Sequence, residues 1–572
     1  MRDEGRNDAL EAEKKYKTAV ESANEYIENF DILETITNVG NDEVFTPRKT
    51  CEMILDSLPE EVWRNPNYKW LNPATKNGVF EREIAIRLDN GLKDIMPDTE
   101  TRRKHILQNM IFAIGQTRFT ANVARRTLYY CLEANRKCDG IKAEDGHYVN
   151  GYAIGNGTWF NDEEGNIKTP NTNHTFIDAK ENVMPDSCVE NERKKYRCKY
   201  CGINENSSYN DASQRETYAY EFIHFSGDKL LRHLQDRFFG GNSNMKFDVI
   251  IGNPPYQLQV NESGKGLGAI PIYNLFVNQA KSLNPKYLSM IIPSRWFSGG
   301  VGLDEFRKNM LNDRHIKKMF DFSDSKSCFP GVDINGGICF FLRDLYYEGM
   351  CEFTNVTNGV KSTKLRKLDE LDILIRRNEA LSILEKVLTL GERTLSSEGG
   401  CSPQTPYGFL SNFEGLKEKN NNDDCRLLTS KGWSYVKRSE VIKSVNTIDC
   451  FKPMISKLTC EHAGTPDKNG QYRVISRMEI LKPGEICSQS YLTICPQTHE
   501  HLAKNVCKYL KTKFVRFLIQ LTLVGMNMSI DNFRYVPWVD FNKEWTDLDL
   551  YKKYSLSSNE IEVIETMIRE MK

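Results

Sequence analysis

The chain has 572 residues, of which 39% are apolar and 10% aromatic, a composition typical of a folded protein and not of a disordered or fibrous one. Its 77 Lys and Arg residues balance 78 Asp and Glu residues. The resulting net charge of −1 excludes a globally basic polymer binder, but it does not exclude a local basic groove. At roughly 100–200 residues per domain, this length indicates several domains.

Neither a membrane span nor a secretion signal is visible in the sequence. Apolar runs such as Val249–Ile251 are far shorter than the roughly 20 residues that a bilayer requires. Met1 leads into the polar stretch 2–5 without an apolar segment. The 16 cysteines are irregularly spaced. Because no secretion signal is visible, we expect them to be reduced thiols of a cytoplasmic protein, and because no membrane span is visible, we expect no membrane contact.

Hydrophobic periodicity divides the chain into three parts, the last of which is residues 349–572. Residues 1–40 form an N-terminal segment with a predicted helix over 7–30, and residues 41–348 alternate helices with strands. Such alternation is typical of an α/β domain built on a parallel sheet. The predicted helices cover 47–58, 79–92, 120–132 and 271–283, and the predicted strands cover 68–71, 110–114, 247–251, 287–292 and 337–342.

The texture of the sequence changes at two places. Residues 136–215 are polar and rich in Asn, Gly, Lys and Glu, which indicates an insertion into the α/β domain. Residues 349–572 are irregular, with interleaved basic and aromatic residues, and predict a second domain of α+β type. Its last helix begins at a capping box formed by Ser557 and Glu560.

The stretch Phe247–Tyr256 carries the clearest chemical signal, because a buried strand ends in the rigid polar turn Asn253-Pro254-Pro255-Tyr256. Ligands of open α/β sheets bind at the carboxyl ends of strands. The Asn253 side-chain oxygen and the Pro254 carbonyl could accept both hydrogens of an amino group on a planar heterocycle, while Tyr256 stacks on the ring. A base inside a duplex reaches such a pocket only after it flips out.

This turn, the segment Phe45-Thr46-Pro47 and the segment Leu71–Phe80 resemble motifs of the gamma-class N6-adenine DNA methyltransferases of bacterial restriction-modification systems. The resemblance extends from about residue 40 to the C-terminus. The resemblance implies a Rossmann-like methyltransferase domain that uses S-adenosylmethionine, followed by a target-recognition domain. It implies catalysis by Asn253, Pro254, Pro255 and Tyr256. The implied cofactor-binding residues are Phe45, Thr46, Pro47, Asn72, Pro73, Gly78, Phe80 and Asn253.

The sequence departs from the family pattern at three positions of the cofactor motifs. Asn72 replaces the usual acidic residue, Lys76 replaces the first glycine, and Gly115 follows a strand where a ribose-binding acid is expected. Weakened or altered cofactor binding is one reading of these departures. Asp228 is a weak candidate for the acid that meets the cofactor's adenine.

Two further segments belong to the expected site. Phe329, which precedes strand 337–342, resembles the aromatic that sandwiches the flipped base against Tyr256, although a core role is an alternative. The glycines at 263–268 lack the spacing of a phosphate-binding loop and predict a mobile loop beside the catalytic turn.

The pair Cys198-x-x-Cys201 has the spacing of a zinc knuckle, which requires two more ligands. The available residues are Cys131, Cys138, His147, His174 and Cys188. We expect a structural zinc held by Cys131, His174, Cys198 and Cys201, and free surface thiols are the alternative.

Basic residues of the second domain are candidates for phosphate and base contacts with double-stranded DNA. They are Lys361, Lys364, Arg366, Lys367, Arg376, Arg377, Lys452, Lys457, Arg473, Arg477, Lys511, Lys513, Arg516 and Arg534. No nuclease or helicase motif is evident, so a restriction activity would lie in a separate subunit. The alternative functions are a non-catalytic DNA-binding specificity subunit and an RNA or protein amide methyltransferase.

Overall fold

The computed structural model describes residues 44–130, 141–142, 148–149, 164–193, 195–203, 205, 220–225, 227–258, 270–300, 302–460, 466–523 and 525–571. The predicted helix over 7–30, the predicted ligand Cys131, the candidates Cys138 and His147, and the glycine-rich loop 263–268 lie outside these residues. Among the described residues, no helix has the length and apolar character that a membrane span requires.

A sheet of nine strands forms the centre of residues 44–366. The strands are β1 (Trp70–Thr75), β2 (Ile111–Gly115), β3 (Ile167–Lys168), β4 (Val249–Gly252), β5 (Tyr287–Pro293), β6 (Ile316–Phe322), β7 (Ile338–Asp344), β8 (Cys351–Thr357) and β9 (Val360–Arg366). Their order is β3-β2-β1-β4-β5-β7-β6-β8-β9. Strands β1 to β5 are parallel to one another, and β7 runs antiparallel between β5 and β6.

Seven α-helices of seven or more residues accompany this sheet within the described residues. They are α1 (Arg48–Asp56), α2 (Val79–Gly91), α3 (Thr99–His105), α4 (Arg118–Arg125), α5 (Asp228–Phe239), α6 (Tyr273–Ser282) and α7 (Asp304–Leu311). All six residues of β1 are buried, as expected of a central parallel strand that is covered on both faces. The strand order reverses between β1 and β4, and the carboxyl ends of strands at such a point form the usual ligand crevice.

The mixed α/β class is confirmed, but two predicted boundaries are corrected. The predicted insertion over 136–215 contains β3, which pairs with β2 at the edge of the main sheet. The predicted boundary at 348 falls before β8 and β9, which pair with β6 and with each other. The sheet therefore continues to Arg366. Strand β8 pairs with the edge of β6 that would otherwise be open, and β9 pairs with β8.

The remaining chain has a helical core and a smaller β core. Its helices are α8 (Ala380–Thr389), α9 (Glu500–Lys511), α10 (Lys513–Leu521), α11 (Asp547–Lys553) and α12 (Ser558–Met567). Its strands are β10 (Cys425–Thr429), β11 (Gly432–Val436), β12 (Lys452–Ser456), β13 (Met478–Leu481), β14 (Glu485–Cys487) and β15 (Tyr491–Thr493). They form two three-stranded sheets, β11-β10-β14 and β13-β12-β15.

Strand β12 lies between the two cores of this region. Its neighbouring residues Met454 and Ile455 point to opposite faces, as the two-residue period of a strand requires. Met454 belongs to the small β core and Ile455 to the helical core. The predicted capping box of the last helix is confirmed, because Ser557 Oγ accepts from the Glu560 amide and Glu560 accepts from the Ser557 amide.

Candidate active site and metal centre

The catalytic turn follows β4 and is buried from Asn253 to Tyr256. Asn253 Nδ2 donates to the Val44 carbonyl and to Thr46 Oγ1, each at 3.1 Å. The Val44 carbonyl can only accept a hydrogen bond, so this contact fixes which end of the Asn253 amide faces the chain. The other end, Asn253 Oδ1, is buried and has no hydrogen-bond partner among the described residues.

Tyr256 lies in the same buried pocket. Burial raises the pKa of its phenol well above the usual value, and the adjacent Asn253 side chain partly opposes this shift. No hydrogen bond of normal geometry to the hydroxyl is present among the described residues. Cys328 and Cys339 also raise this pKa, which places their thiols near the Tyr256 hydroxyl. Most buried polar atoms of folded proteins are hydrogen-bonded. Two buried polar atoms without partners on one turn therefore indicate a position for a polar ligand.

Segment 44–47 connects the catalytic turn to the start of α1. Phe45 and Thr46 are buried, and Pro47 is the N-cap of that helix. One turn later, Thr50 Oγ1 donates to the Cys328 carbonyl at 2.6 Å. A direct hydrogen bond therefore joins α1, which follows the predicted cofactor motif, to the segment that carries Phe329.

The loop after β1 brings the second predicted cofactor motif to the same edge. Asn72 Oδ1 accepts from the Ala74 amide, and Asn72 Nδ2 donates to Glu81 Oε1 at 2.8 Å. Asn72 thus bonds within β1 and to Glu81 in the first turn of α2. Gly78 has φ +80°, and a Cβ there would lie 2.8 Å from the Ala124 Cα, so both its conformation and its close approach require glycine.

The other predicted residues of this motif lie in buried positions. Pro73 is within the buried strand β1, and Phe80 is 3% exposed and packs in the main core. Phe329 is also buried in this core, so its predicted stacking on a flipped base remains a prediction. Asp228 is exposed at the start of α5.

At the end of β2, Gly115 and Gln116 occupy the place of the expected ribose-binding acid. A Cβ at Gly115 would lie 2.5 Å from the Ala121 Cβ, so the close packing of α4 on β2 requires glycine. Gln116 is buried, and its Oε1 has no hydrogen-bond partner among the described residues. Gln116 was not singled out from the sequence, because a glutamine between a strand and a helix carries no recognisable pattern.

Four potential metal ligands converge beside this domain. One ligand atom each from His174, Cys198, Cys201 and His224 lies within 4.8 Å of the others. His224 Nε2 is 3.3 Å from Cys198 Sγ, and His174 Nδ1 is 3.5 Å from Cys201 Sγ. Sulfur and nitrogen ligands of a tetrahedral zinc, with bonds of about 2.3 and 2.0 Å, are separated by about 3.5 Å.

The surrounding chain orients these ligands. His224 Nδ1 lies 2.6 Å from the Tyr220 carbonyl, which leaves Nε2 directed at the thiols. The knuckle turns at Gly202, whose φ is +74° and whose amide donates to the Cys198 carbonyl. Hydrogen bonding with Cys201, together with the two histidines, lowers the pKa of the Cys198 thiol.

Three of the four predicted ligands, His174, Cys198 and Cys201, lie together, and His224 joins them. The fourth predicted ligand, Cys131, lies outside the described residues. His224 follows the one-turn helix Glu221–Ile223. The sequence search missed it because it lies beyond the apparent insertion and has no fixed spacing from the cysteines.

Several predicted DNA-contacting cations have structural roles. Arg376 binds Asp321 through two hydrogen bonds, and Arg366 donates to the Ile375 carbonyl. Lys452 donates to three backbone carbonyls, and burial lowers its pKa to about 8. Arg516 is also buried, and donates to the Arg569 carbonyl. The exposed members of the predicted set are Lys361, Lys364, Lys367, Arg473, Arg477 and Lys511.

Comparisons with known proteins identify relatives of this chain. Residues 109–329, which include the catalytic turn, match the Eco57I restriction-modification methylase family. An uncharacterized adenine-specific methylase of Mycoplasma pneumoniae is 44% identical over 361 residues, which cover 62% of this chain and 78% of the relative. The chain belongs to this family of adenine-specific methylases.

Two solved structures are more distant from this methylase. A nuclease-deletion mutant of the Type ISP restriction-modification enzyme LlaGI, in complex with a DNA substrate mimic, is 12% identical with a TM-score of 0.43. That match covers 85% of this chain but only 45% of the LlaGI chain, so the methylase spans about half of its length. The Type IIL enzyme MmeI, in complex with DNA, is 12% identical with a TM-score of 0.40, and the match covers 91% of this chain and 71% of MmeI.

Proposed function

We propose that this methylase transfers a methyl group from S-adenosylmethionine to N6 of an adenine flipped out of double-stranded DNA, as the modification component of a restriction-modification system. The observation that carries the proposal is the orientation of Asn253. Two acceptors, Val44 O and Thr46 Oγ1, hold its nitrogen, so its oxygen is available to accept a hydrogen from the target amino group. The family supports the adenine specificity.

The chain's own residues would position and polarise the adenine. Asn253 Oδ1 and the Pro254 carbonyl accept the two N6 hydrogens, which directs the nitrogen lone pair out of the ring plane. Bound S-adenosylmethionine would supply the methyl group. N6 would form the new bond to the methyl carbon as the carbon–sulfur bond breaks, which would leave S-adenosylhomocysteine, and the surplus N6 proton would pass to solvent water. Positioning accounts for most of the rate of such a displacement, so no general base is required.

Buried polar atoms at the strand ends support a cofactor site at the same edge. Gln116 directly follows β2 and Asn253 directly follows β4. Neither side-chain oxygen has a hydrogen-bond partner among the described residues. S-adenosylmethionine offers ribose hydroxyls and amino groups that donate to such oxygens. Gly78 allows the backbone after β1 to approach the cofactor closely, and Phe45 and Thr46 line the entry from α1.

The test is methylation of DNA by the full chain with radiolabelled S-adenosylmethionine, followed by identification of the labelled nucleoside. We expect N6-methyl-2′-deoxyadenosine from wild type, and an Asn253→Ala turnover lower by about 10²–10³-fold, as when one preorganised group is removed from an active site. Asn312→Ala, at an exposed asparagine of the same domain, serves as the control.

Two results would contradict the proposal. Label in RNA or protein but not in DNA would change the substrate, and wild-type turnover in Asn253→Ala would remove the assigned role of the turn. Binding of DNA without any binding of S-adenosylmethionine would instead favour a non-catalytic specificity subunit.

We also propose that His174, Cys198, Cys201 and His224 hold a structural zinc. Two thiolates and two imidazoles are the ligands that zinc prefers in closed tetrahedral sites. The zinc site would stabilise the start of the segment that leads to α6, because Gly202 lies against Ile270. A Cβ placed on Gly202 would be 3.7 Å from Ile270 Cδ1. Ile270 pairs with Leu258, two residues after Tyr256.

Metal analysis of the purified chain under reducing conditions tests this site. We expect one zinc per chain in wild type and a large loss of zinc in His224→Ala after dialysis against a chelator. Cys131→Ser is the matched control and should keep its zinc. Absence of zinc from wild type would refute the site, and loss of zinc from Cys131→Ser with retention in His224→Ala would restore the ligand set expected from the sequence.

DNA recognition is proposed for the region after Arg366. Its exposed cations would contact phosphates, whereas the buried Lys452 and Arg516 would only hold the fold. Partner subunits that carry a restriction activity belong to the same proposal, because the sequence shows no nuclease motif.

A further inference from the structure

A pocket lies where the nine-stranded sheet meets the helical core that follows it in the chain, and we call it the junction pocket. Its polar lining includes Ser323, Arg377, Tyr472 and Gln520. Ser323 directly follows β6, and Gln520 lies in the last turn of α10. Beside the pocket, Ser298 Oγ donates to the Thr522 carbonyl at 3.3 Å, which ties the end of α10 to the sheet region.

Gln520 is the group of the junction pocket that the fold does not use. Only 8% of the residue is exposed, and its Oε1 is buried without a hydrogen-bond partner among the described residues. A buried amide oxygen without a partner costs free energy, and most buried polar atoms of folded proteins are bonded. A pocket lined by such an acceptor therefore indicates a ligand that donates a hydrogen.

The two adjacent arginines of this pocket have different surroundings. Arg376 is held within the fold, because its guanidinium donates to Asp321 and to the Gly336 carbonyl. Arg377 donates a single side-chain hydrogen bond among the described residues, to the Tyr472 hydroxyl at 3.0 Å. A guanidinium has five N–H donors, so Arg377 keeps donors for an acceptor of the same ligand.

Strand direction places the junction pocket at the same edge of the sheet as the catalytic turn. Strand β7 runs antiparallel to both β5 and β6, so β6 points in the same direction as β5 and β4. Asn253 follows β4 and Ser323 follows β6, three strands away in the order β4-β5-β7-β6. At about 4.8 Å per strand, the two are about 14 Å apart, which equals about four base-pair steps of DNA.

We infer that the junction pocket reads an adenine of the DNA recognition sequence through Gln520, an inference that rests on the proposed function. The sugar-phosphate backbone of DNA has no hydrogen-bond donor, so only a base can satisfy Gln520 Oε1. The major-groove edge of adenine presents the N6 amino donor beside the N7 acceptor, which matches the two ends of a glutamine amide. Arg377 would donate to an acceptor of the same or the adjacent base pair.

Two competing explanations make different predictions. An ordered water that bridges Gln520 and Arg377 would make the pocket a purely structural feature. A phosphate bound by Arg377 would position the duplex without regard to its sequence. Only base reading changes which sequences are methylated, so the recognition sequence is the quantity that separates the three.

The experiment compares the recognition sequences of variants of the full chain. Long-read sequencing of DNA from cells that express wild type gives its recognition sequence, and methylation rates of duplexes with single base-pair changes give the discrimination at each position. We expect about 10- to 100-fold discrimination at a read position. In Gln520→Met, which keeps the side-chain length but removes the acceptor, this should fall to about onefold at one adenine within about five base pairs of the methylated adenine.

A second variant and a control complete the design. Arg377→Met should relax the same position or the adjacent one, and it decides the question alone if Gln520→Met folds poorly. Gln404→Met is the matched control, because Gln404 is an exposed glutamine of the same region. It should keep the wild-type recognition sequence at every position.

The results that would overturn the inference are distinct from those that test the methyl transfer. If Gln520→Met and Arg377→Met slow the methylation of all duplexes by one common factor, the pocket is structural or binds the backbone, and the inference is wrong. It also fails if the recognition sequence of both variants is unchanged. If wild type leaves no N6-methyladenine in DNA, the proposed function fails first, and base reading fails with it.

Discussion

Asn253 and Asp321 are both buried polar side chains of the catalytic region, but their surroundings are opposite. Asp321 is fully buried, and both of its oxygens are bonded. Oδ1 accepts from Ser294 and Arg376, and Oδ2 accepts from Asn355 and Arg376. Asn253 has a bonded nitrogen and a partnerless oxygen.

The difference shows how one fold separates stability from chemistry. A buried polar cluster with every group satisfied holds parts of the chain together, here β6 and the segment after β9. A buried acceptor without a protein partner costs free energy, and at Asn253 we propose that the target base satisfies it. Burial alone would not have distinguished the two residues.

The largest expected effect on stability is at the satisfied cluster. Arg376→Met leaves the Asp321 charge buried without its cation, so the free energy of unfolding should fall by about 3–5 kcal/mol. Urea unfolding of the full chain measures it. Arg377→Met is the control, because Arg377 donates a single side-chain hydrogen bond among the described residues, to the Tyr472 hydroxyl at 3.0 Å, and its loss should cost about 1 kcal/mol. Equal losses for both variants would contradict the comparison.

Asn253→Ala should show the reverse pattern. Its two hydrogen bonds contribute about 1–2 kcal/mol to the free energy of unfolding, whereas its turnover falls by the larger factor given above. The unfolding midpoint and the methylation rate of the same preparation provide the measurement. A loss of stability as large as that of Arg376→Met would mean that the turn is a structural cluster.

The smallest effect is expected at Glu560, a bonded carboxylate close to the surface. Burial alone would raise its pKa, but hydrogen bonds from Lys386 and from the Ser557 cap lower the pKa to about 2. A lowered pKa stabilises the fold above the ordinary value of 4.5, and this contribution is lost as the pH falls from there towards 2. Glu560→Gln should therefore flatten the dependence of stability on pH in this window.

Thermal unfolding between pH 5 and pH 2.5 measures this effect, with Glu562→Gln, an exposed residue of the same helix, as control. If Glu560→Gln and wild type lose stability in parallel over this range, the cap does not contribute in the charged form.

Sequence reasoning predicted the local elements and the catalytic turn well. The helices after Pro47, Gly78 and Ile272 and the strands ending at Gly252 and Pro293 were evident from periodicity, because each depends on residues close in the chain. Strand β6 was missed because its alternation of polar and apolar residues is weak. The strands β8 and β9 were assigned to the next domain because strand pairing is not visible in local sequence.

The remainder depended on contacts between distant residues. The Asn253 contact to Val44 spans 209 positions, and Arg376 meets Asp321 across 55. His224 joins the cysteines only because a one-turn helix returns it to the knuckle. The sequence by itself indicated the adenine-specific methylase family, through the turn Asn253–Tyr256, and predicted a metal site at the pair Cys198 and Cys201. Only the tertiary structure decided which oxygen of that turn is left to accept and which cations are buried, because packing sets hydrogen-bond partners and burial.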